Sequence, residues 1–469
     1  MSERSQKKPA AVRLVDLGRP IEPLGDLRDY DSARVFVCRE GRLLGSVDIP
    51  HQGQPISSAR LRQAIAGQLA PRLLDLRPAP SGESLVERAL AARDEHGRTS
   101  HAADGRASPA KLGDDVPVSI VVATRDRPED LRGCLGGLVA QATRRPVEIV
   151  VVDNNPASSR TPPVVAEFPA VRLVSEPRKG LSYARNAGIA ASAGAIVIST
   201  DDDVLVPPDW LEKLVAPFAR ADVMAVTGNV LPLELETRAQ SLFELYGGLG
   251  RGFERQEYAG DWFRRYRRRA VPTWNIGATA NAAFRAAIFA DPEIGMLDEA
   301  LGAGTPTGCS EDTDLFYRVL KAGHTIVYEP DAFLWHRHRR DMRALRRQIY
   351  SYSKGHVAYH LATFFRDHDW RALYRIAVEL PRAHLWQLKR RLKRRSDYPI
   401  HMIAIEVLGN LAGPLALWRS KRMVRRAGRS APYIPPAPRH RAVVPDMPFA
   451  ASERDLVDLT ARASDAVQS

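Results

Sequence analysis

The stretch VSIVVATRDRPEDLRGCLGGLVAQATRRPVEIVVVDNNP, residues 118–156, decides the fold of this chain. Its two continuous apolar runs, VSIVVAT and VEIVVVD, each have the length of a buried strand, and a helical pattern lies between them. Pro128, followed by Glu129 and Asp130, suits the first turn of that helix. Strand, helix and strand in this order predict a βαβ unit within a parallel sheet.

The same alternation continues towards the C-terminus. Strands are expected at 171–176, 195–200 and 222–228, and helices at 182–192 and 207–218. Ligands of such sheets bind at the carboxyl ends of the strands. In this chain those ends carry polar residues, namely Thr124-Arg125, Asp153-Asn154 and Asp201-Asp202-Asp203.

Shifts in composition divide the rest of the chain. We expect a small α/β module at 11–78, with two strands within 33–49 and a helix that starts near Ser57 or Ser58. A linker with a short helix at 85–93 is expected at 79–115. The main α/β domain is expected at 116–340, a basic helical extension at 341–430 and a partly disordered tail at 431–469.

The composition favours a globular protein of a reducing compartment. Of the 469 residues, 44% are hydrophobic and 26% are charged, which excludes collagen-like and wholly disordered chains. The three cysteines form no CxxC pair, so neither a disulfide framework nor a cysteine zinc site is expected. The N-terminus lacks the apolar run of a secretory signal, and we therefore expect a cytoplasmic protein.

The net charge of +13 is concentrated in one segment. Residues 389–429 hold twelve Lys or Arg against two acids, Asp397 and Glu406. They surround IHMIAIEVLGNLAGPLALW (400–418), an apolar stretch with a few polar interruptions. Two interpretations stay open: a segment that lies in the headgroup region of an anionic membrane, or a core helix pair with solvated arginines.

The segment STDDDVLVPPDWL (199–211) places three consecutive acids after an apolar strand. Adjacent carboxylates repel one another unless a cation is bound. In an extended segment Asp201 and Asp203 point to the same side and can share Mg²⁺ or Mn²⁺. The alternative is a solvated acidic turn, but the position at a strand end favours a metal site.

Asp153, at the end of the next strand, suits a nucleotide site. Its carboxylate can accept hydrogen bonds from a ribose or a base, or it can form an Asx turn with the Asn-Asn-Pro that follows. The first strand is followed by TRDRPEDL and not by G-x-G-x-x-G, which disfavours a dinucleotide dehydrogenase.

Acids recur in TGCSEDTDLFYRVLKAG (307–323). Ser310 is a candidate N-cap, and Glu311, Asp312 and Asp314 fall in the first helical turn. One of these acids can act as a general base on a hydroxyl, or all of them can be ordinary capping residues. Asp314 and Arg318 have the i,i+4 spacing of an ion pair.

Two further segments have a functional and a structural interpretation. His336 and His338 of DAFLWHRHRR (331–340) can point to one side, as a metal ligand or as surface residues. Trp274 and Asn275 precede the glycine-bearing GATANAAFR (277–285), where either a ligand approaches the chain or the turn is simply packed.

Taken together, these segments resemble the inverting glycosyltransferases of family 2, which have the GT-A fold. The resemblance covers residues 116–340 and rests on seven pieces in the family's order: VSIVVATRDRPEDL, VVVDNNP, GLSYARNAGIAAS, STDDDVLVPPDWL, GATANAAFR, SEDTDLFYRVLKAG and YEPDAFLWH. It implies an α/β fold with a Rossmann-like, mostly parallel sheet flanked by helices, next to the small N-terminal module and the basic helical extension.

On the donor side, the resemblance implies roles for individual residues. Thr124, Arg125 and Asp153 would line the nucleotide pocket, with Lys179 and Arg185 close to the nucleotide. The DxD pair Asp201 and Asp203 would hold Mn²⁺ or Mg²⁺ against the diphosphate, and His336 would complete the metal shell. Because some members carry D-x-D-D, which places the first ligand at Thr200, Asp202 stays an alternative ligand and part of the donor site.

The resemblance also implies the reaction. Of the pair Glu311 and Asp312, Asp312 would remove the proton from an acceptor hydroxyl, which attacks the anomeric carbon with inversion. Trp274 and Asn275 would lie on the acceptor side. The implied partners are a nucleotide-sugar donor and a glycan or lipid-linked acceptor, in the synthesis of cell-surface polysaccharide or glycolipid at the inner face of the cell membrane.

Two other functions are compatible with parts of this pattern. A non-catalytic protein that binds a sugar nucleotide or nucleic acid is the main alternative, but the basic segment lacks the interleaved aromatic residues of a nucleic-acid module. We therefore expect no nucleic-acid partner. A nucleotidyltransferase shares the sheet plan and the metal, but the glycine-rich signature expected after its first strand is missing.

Overall fold

The computed structural model describes residues 9–73, 111–393 and 395–435 of the chain. The predicted helix at 85–93, most of the predicted linker and the tail beyond residue 435 lie outside the described residues.

The N-terminal module consists of a three-stranded sheet and one helix. Strands β1 (Ala10–Asp16), β2 (Ser32–Arg39) and β3 (Arg42–Pro50) pair in the order β1-β2-β3, and helix α1 (Ser58–Leu73) follows. The apolar side chains Leu61, Ile65 and Leu69 are buried against the sheet, as their spacing predicts. The sequence reading missed β1, which pairs with β2 in parallel and so gives no hairpin signal.

The main sheet has nine strands. Eight form a continuous path in the order β10-β12-β9-β11-β7-β4-β5-β6, and β8 pairs with β12 beside that path. Their bounds are β4 Val118–Thr124, β5 Val147–Asp153, β6 Val171–Ser175, β7 Ile196–Asp201, β8 Val204–Leu205, β9 Val223–Pro232, β10 Gln256–Tyr258, β11 Asn281–Arg285 and β12 Thr325–His336.

The half of the sheet formed by β4 to β7 is entirely parallel. All seven residues of β4 are buried, as expected for a strand covered by helices on both faces. Beyond β7 the pairing is mixed, because β11 runs antiparallel to both β7 and β9 while β12 runs parallel to β9. The predicted α/β class is confirmed, and its parallel pairing is concentrated on the N-terminal side.

Helices cover both faces of this sheet. One apolar core contains Leu131, Leu135 and Trp210, and the core of the opposite face contains Ala184 and Phe316. The helices of this region are α2 Pro128–Val139, α3 Thr161–Ala166, α4 Leu181–Ala191, α5 Trp210–Val215, α6 Arg238–Tyr246, α7 Gly260–Arg265 and α8 Glu311–Lys321.

The segment after β12 is helical, as predicted. It contains α9 (Met342–Asp367), α10 (Trp370–Tyr374), a π-helical turn (Arg375–Glu379), α11 (Leu380–Leu392) and α12 (Ile400–Ala427). The Asp341 carboxylate caps α9 by accepting a hydrogen bond from Ala344 N at 2.9 Å. Helices α9 and α12 pack along each other over most of their length.

The N-terminal module packs on the main sheet beside β9 and β12. Phe36 and Leu43 form one apolar cluster with Phe333 and Trp335. Leu43 N also donates a hydrogen bond to Asp331 Oδ1 at 2.6 Å. The module is therefore held against the main domain by both apolar packing and hydrogen bonding.

Candidate active site

The carboxyl ends of three parallel strands meet at one edge of the main sheet. Thr124 ends β4, Asp153 ends β5 and Asp201 ends β7. In the ladders Thr124 pairs with Asp153, and Ala123 pairs with Asp201. The polar residues that the sequence placed at this edge thus lie side by side.

The acidic triplet forms a turn. Asp201 belongs to β7, whereas Asp202 and Asp203 turn the chain into β8, which pairs back to the end of β12. The expectation of an extended segment is wrong because this pairing requires a reversal of direction. Asp201 and Asp203 nevertheless face the same space, and Asp202 turns away to accept a hydrogen bond from Thr124 Oγ1 at 2.7 Å.

Asp201, Asp203 and His336 form a compact group of metal-ligand type. Their ligand atoms all lie within 4.8 Å of one another. His336 Nε2 is 3.3 Å from Asp203 Oδ1, while His336 Nδ1 faces His338 Nδ1 at the same distance. Two carboxylates and one imidazole suit Mn²⁺ or Mg²⁺. The three residues fit a divalent cation, and their role as ligands stays a prediction.

Arg127, which the sequence reading missed, pairs with the acidic turn. Its Nη1 lies 2.9 Å from Asp202 Oδ1 and 2.7 Å from Asp203 Oδ2. Burial acts to raise the pKa of Asp203, but the charges of His336 and Arg127 outweigh this effect and lower it. Burial raises the pKa of Asp202 to about 7 against the opposing charge of Arg127. Asp203 is therefore the more readily ionised acid.

The alternative ligands Asp202 and Thr200 are engaged elsewhere. Both oxygens of Asp202 have protein partners, in Thr124 and Arg127. Thr200 is fully buried, and its hydroxyl donates to Ala280 O at 2.9 Å. This geometry favours Asp201 and Asp203 as the ligand pair.

The nucleotide-side residues lie around the loop that follows β5. Asp153 Oδ1 accepts a hydrogen bond from Asn155 N at 2.9 Å, so the Asx turn is present. Its Oδ2 is buried and has no hydrogen-bond partner in the described part of the chain. Arg125 is exposed and donates to Asn154 O at 2.5 Å, and Lys179 is exposed on the loop after β6. An unpaired buried acceptor at this edge is what a donor group of a ligand would satisfy.

Arg185 connects the acidic turn to helix α8. It is buried on α4, with Nη1 at 2.7 Å from Glu311 Oε1 and Nη2 at 2.7 Å from Asp201 Oδ1. The guanidinium thus binds two protein carboxylates, and its predicted approach to the nucleotide stays a prediction. This bridge places the start of α8 next to the metal-type group.

Helix α8 begins at a strained position. Ser310 occupies the N-cap as predicted, but its φ of 80° lies in the left-handed region and its hydroxyl makes no capping bond. The Ser310 hydroxyl lies 3.1 Å from Cys309 Sγ instead. The sequence therefore predicted the start of the helix and not the way it is capped.

Asp312 is the half-buried acid of the first turn. Its Oδ1 accepts hydrogen bonds from Thr313 N at 2.6 Å and from Thr313 Oγ1 at 3.2 Å. No Lys, Arg or His among the described residues forms an ion pair with it. Glu311, by contrast, is buried against Arg185, and burial followed by the Asp312 charge raises its pKa. Asp312 is thus the acid whose charge is left available.

Asp314 is a structural acid. It is completely buried between Arg318 Nε at 2.9 Å and Arg366 Nη1 at 2.8 Å. Burial acts to raise its pKa, but the two arginines outweigh it and lower the pKa. The predicted pair of Asp314 with Arg318 is present.

Trp274 packs on two histidines of α9, the half-buried His356 and the buried His360. Its ring centroid lies 4.8 Å from that of His356 and 5.5 Å from that of His360, and the Arg375 guanidinium lies over its indole at 4.6 Å. Asn275 is exposed beside it. At Gly277 a Cβ would lie 2.5 Å from the Cβ of Thr227, so this glycine allows close packing. The packed turn is therefore present, and the acceptor-side role of Trp274 and Asn275 stays a prediction.

Arg251 is a second residue that the sequence reading missed. Its guanidinium donates to Trp274 O at 3.3 Å, and its Nε is buried without a hydrogen-bond partner in the described ranges. Burial lowers the pKa of Arg251, while the Asp312 charge acts to raise it. Arg251 thus joins the Trp274 segment to the surroundings of Asp312. No sequence motif marks it.

Comparison with known proteins agrees with this geometry. Residues 119–291 match the model of the family "Glycosyl transferase family 2". The pre-mycofactocin glycosyltransferase of Mycobacterium tuberculosis (strain H37Rv) is 28% identical over 316 residues, which are 67% of this chain and 60% of that protein. The succinoglycan biosynthesis protein ExoM of Rhizobium meliloti is 27% identical over 223 residues, 46% of this chain and 65% of that protein.

Among solved structures, the mannosyltransferase PcManGT from Pyrobaculum calidifontis, in complex with GDP-Man and Mn²⁺, is similar over 82% of this chain and 88% of its own, with 18% identity and a TM-score of 0.36. The family match spans β4 to β11, and the strand ends that carry Thr124, Asp153 and the acidic turn lie within it. Residues 119–291 of this chain are therefore similar to glycosyl transferase family 2.

Proposed function

We propose that this chain is a metal-dependent, inverting glycosyltransferase that moves a sugar from a nucleotide-sugar donor to an acceptor hydroxyl. The observation that carries the proposal is the arrangement of two acidic groups in the main α/β domain. Asp201, Asp203 and His336 form a metal-type group, and Arg185 joins it to the helix turn that presents Asp312. The metal-type group suits a diphosphate with its cation, and Asp312 suits the deprotonation of an acceptor hydroxyl.

The donor is proposed to bind at the strand ends. Asp153 Oδ2 and the exposed Arg125 and Lys179 offer an acceptor and two cations to a nucleotide. Asp201, Asp203 and His336 would hold Mn²⁺ or Mg²⁺, which supplies positive charge against the diphosphate leaving group. Arg127 and Arg185 hold the two aspartates in place.

Asp312 is proposed as the general base. It takes the proton of the acceptor hydroxyl as the oxygen attacks the anomeric carbon from the face opposite the diphosphate, so the configuration inverts. Its Oδ1 is fixed by Thr313, which leaves the carboxylate oriented. Trp274 and Asn275 would lie at the acceptor, with Arg251 donating a hydrogen bond to Trp274 O.

The acceptor is proposed to be a glycan or lipid-linked glycan, in cell-surface polysaccharide or glycolipid synthesis on the inner face of the cell membrane. The names of two relatives support the class: one is a succinoglycan biosynthesis protein, and another is the O-antigen biosynthesis protein RfbC of Myxococcus xanthus. The non-catalytic alternative is not favoured, because the half-buried Asp312 carboxyl has no cation partner in the described residues.

The test is a thermal-shift panel of nucleoside diphosphates and their sugars, with and without Mn²⁺, on the wild type and Asp203→Asn. One nucleotide is expected to stabilise the wild type in a Mn²⁺-dependent way, and Asp203→Asn should weaken its affinity by about 10- to 100-fold, the range seen when the support of a metal site is removed. Asp202→Asn is the matched control, because both Asp202 oxygens bind protein groups.

Equal loss of Mn²⁺-dependent binding in both variants would show that the ligand pair is assigned wrongly. No stabilisation of folded wild type by any nucleotide would overturn the donor site. Formation of a sugar nucleotide and pyrophosphate from a nucleoside triphosphate and a sugar phosphate, without glycosyl transfer, would favour the nucleotidyltransferase alternative.

A further inference from the structure

Helix α12 has one face packed tightly against α9. A Cβ at Gly409 would lie 2.7 Å from Tyr350 O, and one at Gly413 would lie 2.6 Å from the Val357 Cβ. The buried face also holds polar groups: Glu406 accepts a hydrogen bond from Tyr398 OH at 2.6 Å, and Ser420 Oγ donates to Ala300 O at 2.7 Å. This face is therefore committed to the protein interior.

The opposite face of α12 is apolar and open in the described part of the chain. Leu411 is 73% exposed, and Leu408 and Trp418 are more than half exposed. Among the exposed residues of α12 from Ile400 to Trp418, His401 is the single polar one; the others are Ile400, Ala404, Val407, Leu408, Leu411, Pro414, Leu415 and Trp418. A water-facing helix normally shows the reverse pattern.

Exposed cations flank both ends of this apolar face. Beyond Trp418 the exposed residues of α12 are Arg419, Arg422, Arg425, Arg426 and Ala427. At the other end, α11 and the following loop expose Lys389, Arg390, Lys393 and Arg395. Two tryptophans mark the borders, with Arg422 over Trp418 at 5.6 Å and Arg390 over Trp386 at 4.6 Å.

The C-terminal end of the face contains a shallow recess of about 650 Å³. Its lining combines apolar and cationic side chains: Trp418, Arg419, Arg422, Met423 and Arg426. Such a lining matches an anionic headgroup attached to an acyl chain, because arginine binds phosphate through several N–H donors while the indole packs on hydrocarbon.

Ile400–Ala427 is, in the described residues, the helix that is long and apolar enough to cross a bilayer, and 39% of its apolar window is buried in the protein. The contacts of Glu406, Ser420 and the two glycines argue for a different placement. To span the membrane, α12 would have to leave α9 and carry Glu406 into hydrocarbon. Lying in the membrane plane keeps these contacts and covers the outer face.

We propose that the outer face of α12, together with the flanking cations, docks this protein on the surface of an anionic lipid bilayer. The side chains from Ile400 to Trp418 would enter the headgroup region, and the arginines and lysines at both ends would bind lipid phosphates. Charge complementarity selects this occupant, because exposed acids are scarce around the face: of the two acids in residues 389–429, Glu406 is buried. The inference is independent of the proposed transfer reaction.

The test is flotation of the full chain with vesicles of phosphatidylcholine containing 30% phosphatidylglycerol. We expect binding at low salt, weaker binding at high salt or to pure phosphatidylcholine, and at least a tenfold loss of partitioning in L411D/L415D. The matched control is L245D, which adds a charge at another exposed leucine, on α6. R422E/R426E should also lose at least tenfold, against R265E/R268E as the charge control.

Melting temperatures measured without nucleotide, if equal to that of the wild type, will show that the variants fold. Equal binding by L411D/L415D and wild type would overturn the docking face. If the wild type does not bind vesicles and forms a dimer that L411D/L415D dissociates, the face is a contact between copies of this chain. That result would also overturn the proposal. Extraction of wild type from vesicles only by detergent, and not by salt or carbonate, would instead indicate a spanning helix.

Discussion

The acids on the two sides of the proposed site differ in their partners. On the donor side, each acid of the turn 201–203 has a cationic or hydrogen-bonding partner: Arg185 for Asp201, Arg127 for Asp202, and Arg127 and His336 for Asp203. On the proposed acceptor side, Asp312 forms no ion pair in the described residues and accepts hydrogen bonds from Thr313, and Trp274 packs on histidines whose pKa values are lowered by burial.

Under the proposed function, this difference follows from what each side would bind. A diphosphate and its cation bring several charges, so the acids that receive them need to be fixed in advance by opposite charges. An acceptor hydroxyl is neutral, and its proton must pass to a base whose carboxylate is not engaged in an ion pair. The comparison therefore predicts that substitutions on the two sides fail in different ways.

The largest effect is expected from Asp312→Asn. The amide cannot take the acceptor proton, so kcat should fall about 10³-fold while donor affinity and the free energy of unfolding stay near the wild-type values. Steady-state kinetics and donor titration measure the two quantities. Asp261→Asn, at an exposed acid of α7, is the control. If kcat falls less than threefold, Asp312 is not the base.

The next largest effect is expected from Asp314→Asn, two residues along the same helix. Removal of this buried charge leaves Arg318 and Arg366 without their shared partner, and the free energy of unfolding should fall by about 3 kcal/mol. Denaturant unfolding measures it.

Asp114→Asn, which removes an exposed pair with Lys111, is the control for Asp314→Asn and should leave the free energy of unfolding near the wild-type value. A stable Asp314→Asn protein without activity would contradict the comparison, because Asp314 would then belong to the chemistry.

The smallest effect concerns the two histidines behind Trp274. Burial lowers the pKa of His356 to about 3, and burial, His356 and Arg375 together lower the pKa of His360 well below its usual value. Both groups bind protons more tightly in the unfolded chain. Their contribution to stability is therefore complete above about pH 6.5 and is lost as the pH falls, by at most about 1.4 kcal/mol per pH unit for each histidine.

His356→Phe should reduce the slope of the unfolding free energy against pH, because about one proton fewer is taken up on unfolding. Denaturant unfolding between pH 7.5 and pH 5 measures this slope. His368→Asn, at an exposed histidine, should leave the slope unchanged. An unchanged slope in His356→Phe would mean that His356 carries its charge in the folded protein.

Periodicity and turn residues predicted most of the fold. Each parallel strand from β4 to β7 is a short apolar run, so its existence and its end could be read directly. Strand β1 and the antiparallel insertion of β11 depend on partners far along the chain, which a local pattern does not show. The domain limits stay predictions.

The sequence also placed the main acids of the site, because they follow strand ends or open a helix. It did not show that 201–203 is a turn, since β8 forms only through pairing with β12. Arg127 and Arg251 were missed for the same reason: their partners lie 75 or more residues away, or in a loop without a motif. Family resemblance supplied the roles, and these residue assignments stay predictions.

Strand β12 has one further consequence, for engineering. Consecutive side chains of a strand point to opposite faces. Trp335 packs edge-on against Phe36 of the N-terminal module at 5.3 Å between ring centroids, and the next residue, His336, faces Asp203. Residues 9–73 therefore cannot be removed or replaced without affecting β12. A chimera or a shortened catalytic fragment would need substitutes for Phe36 and Leu43. Without them, β12, which positions His336, would lose the apolar side chains that pack against it.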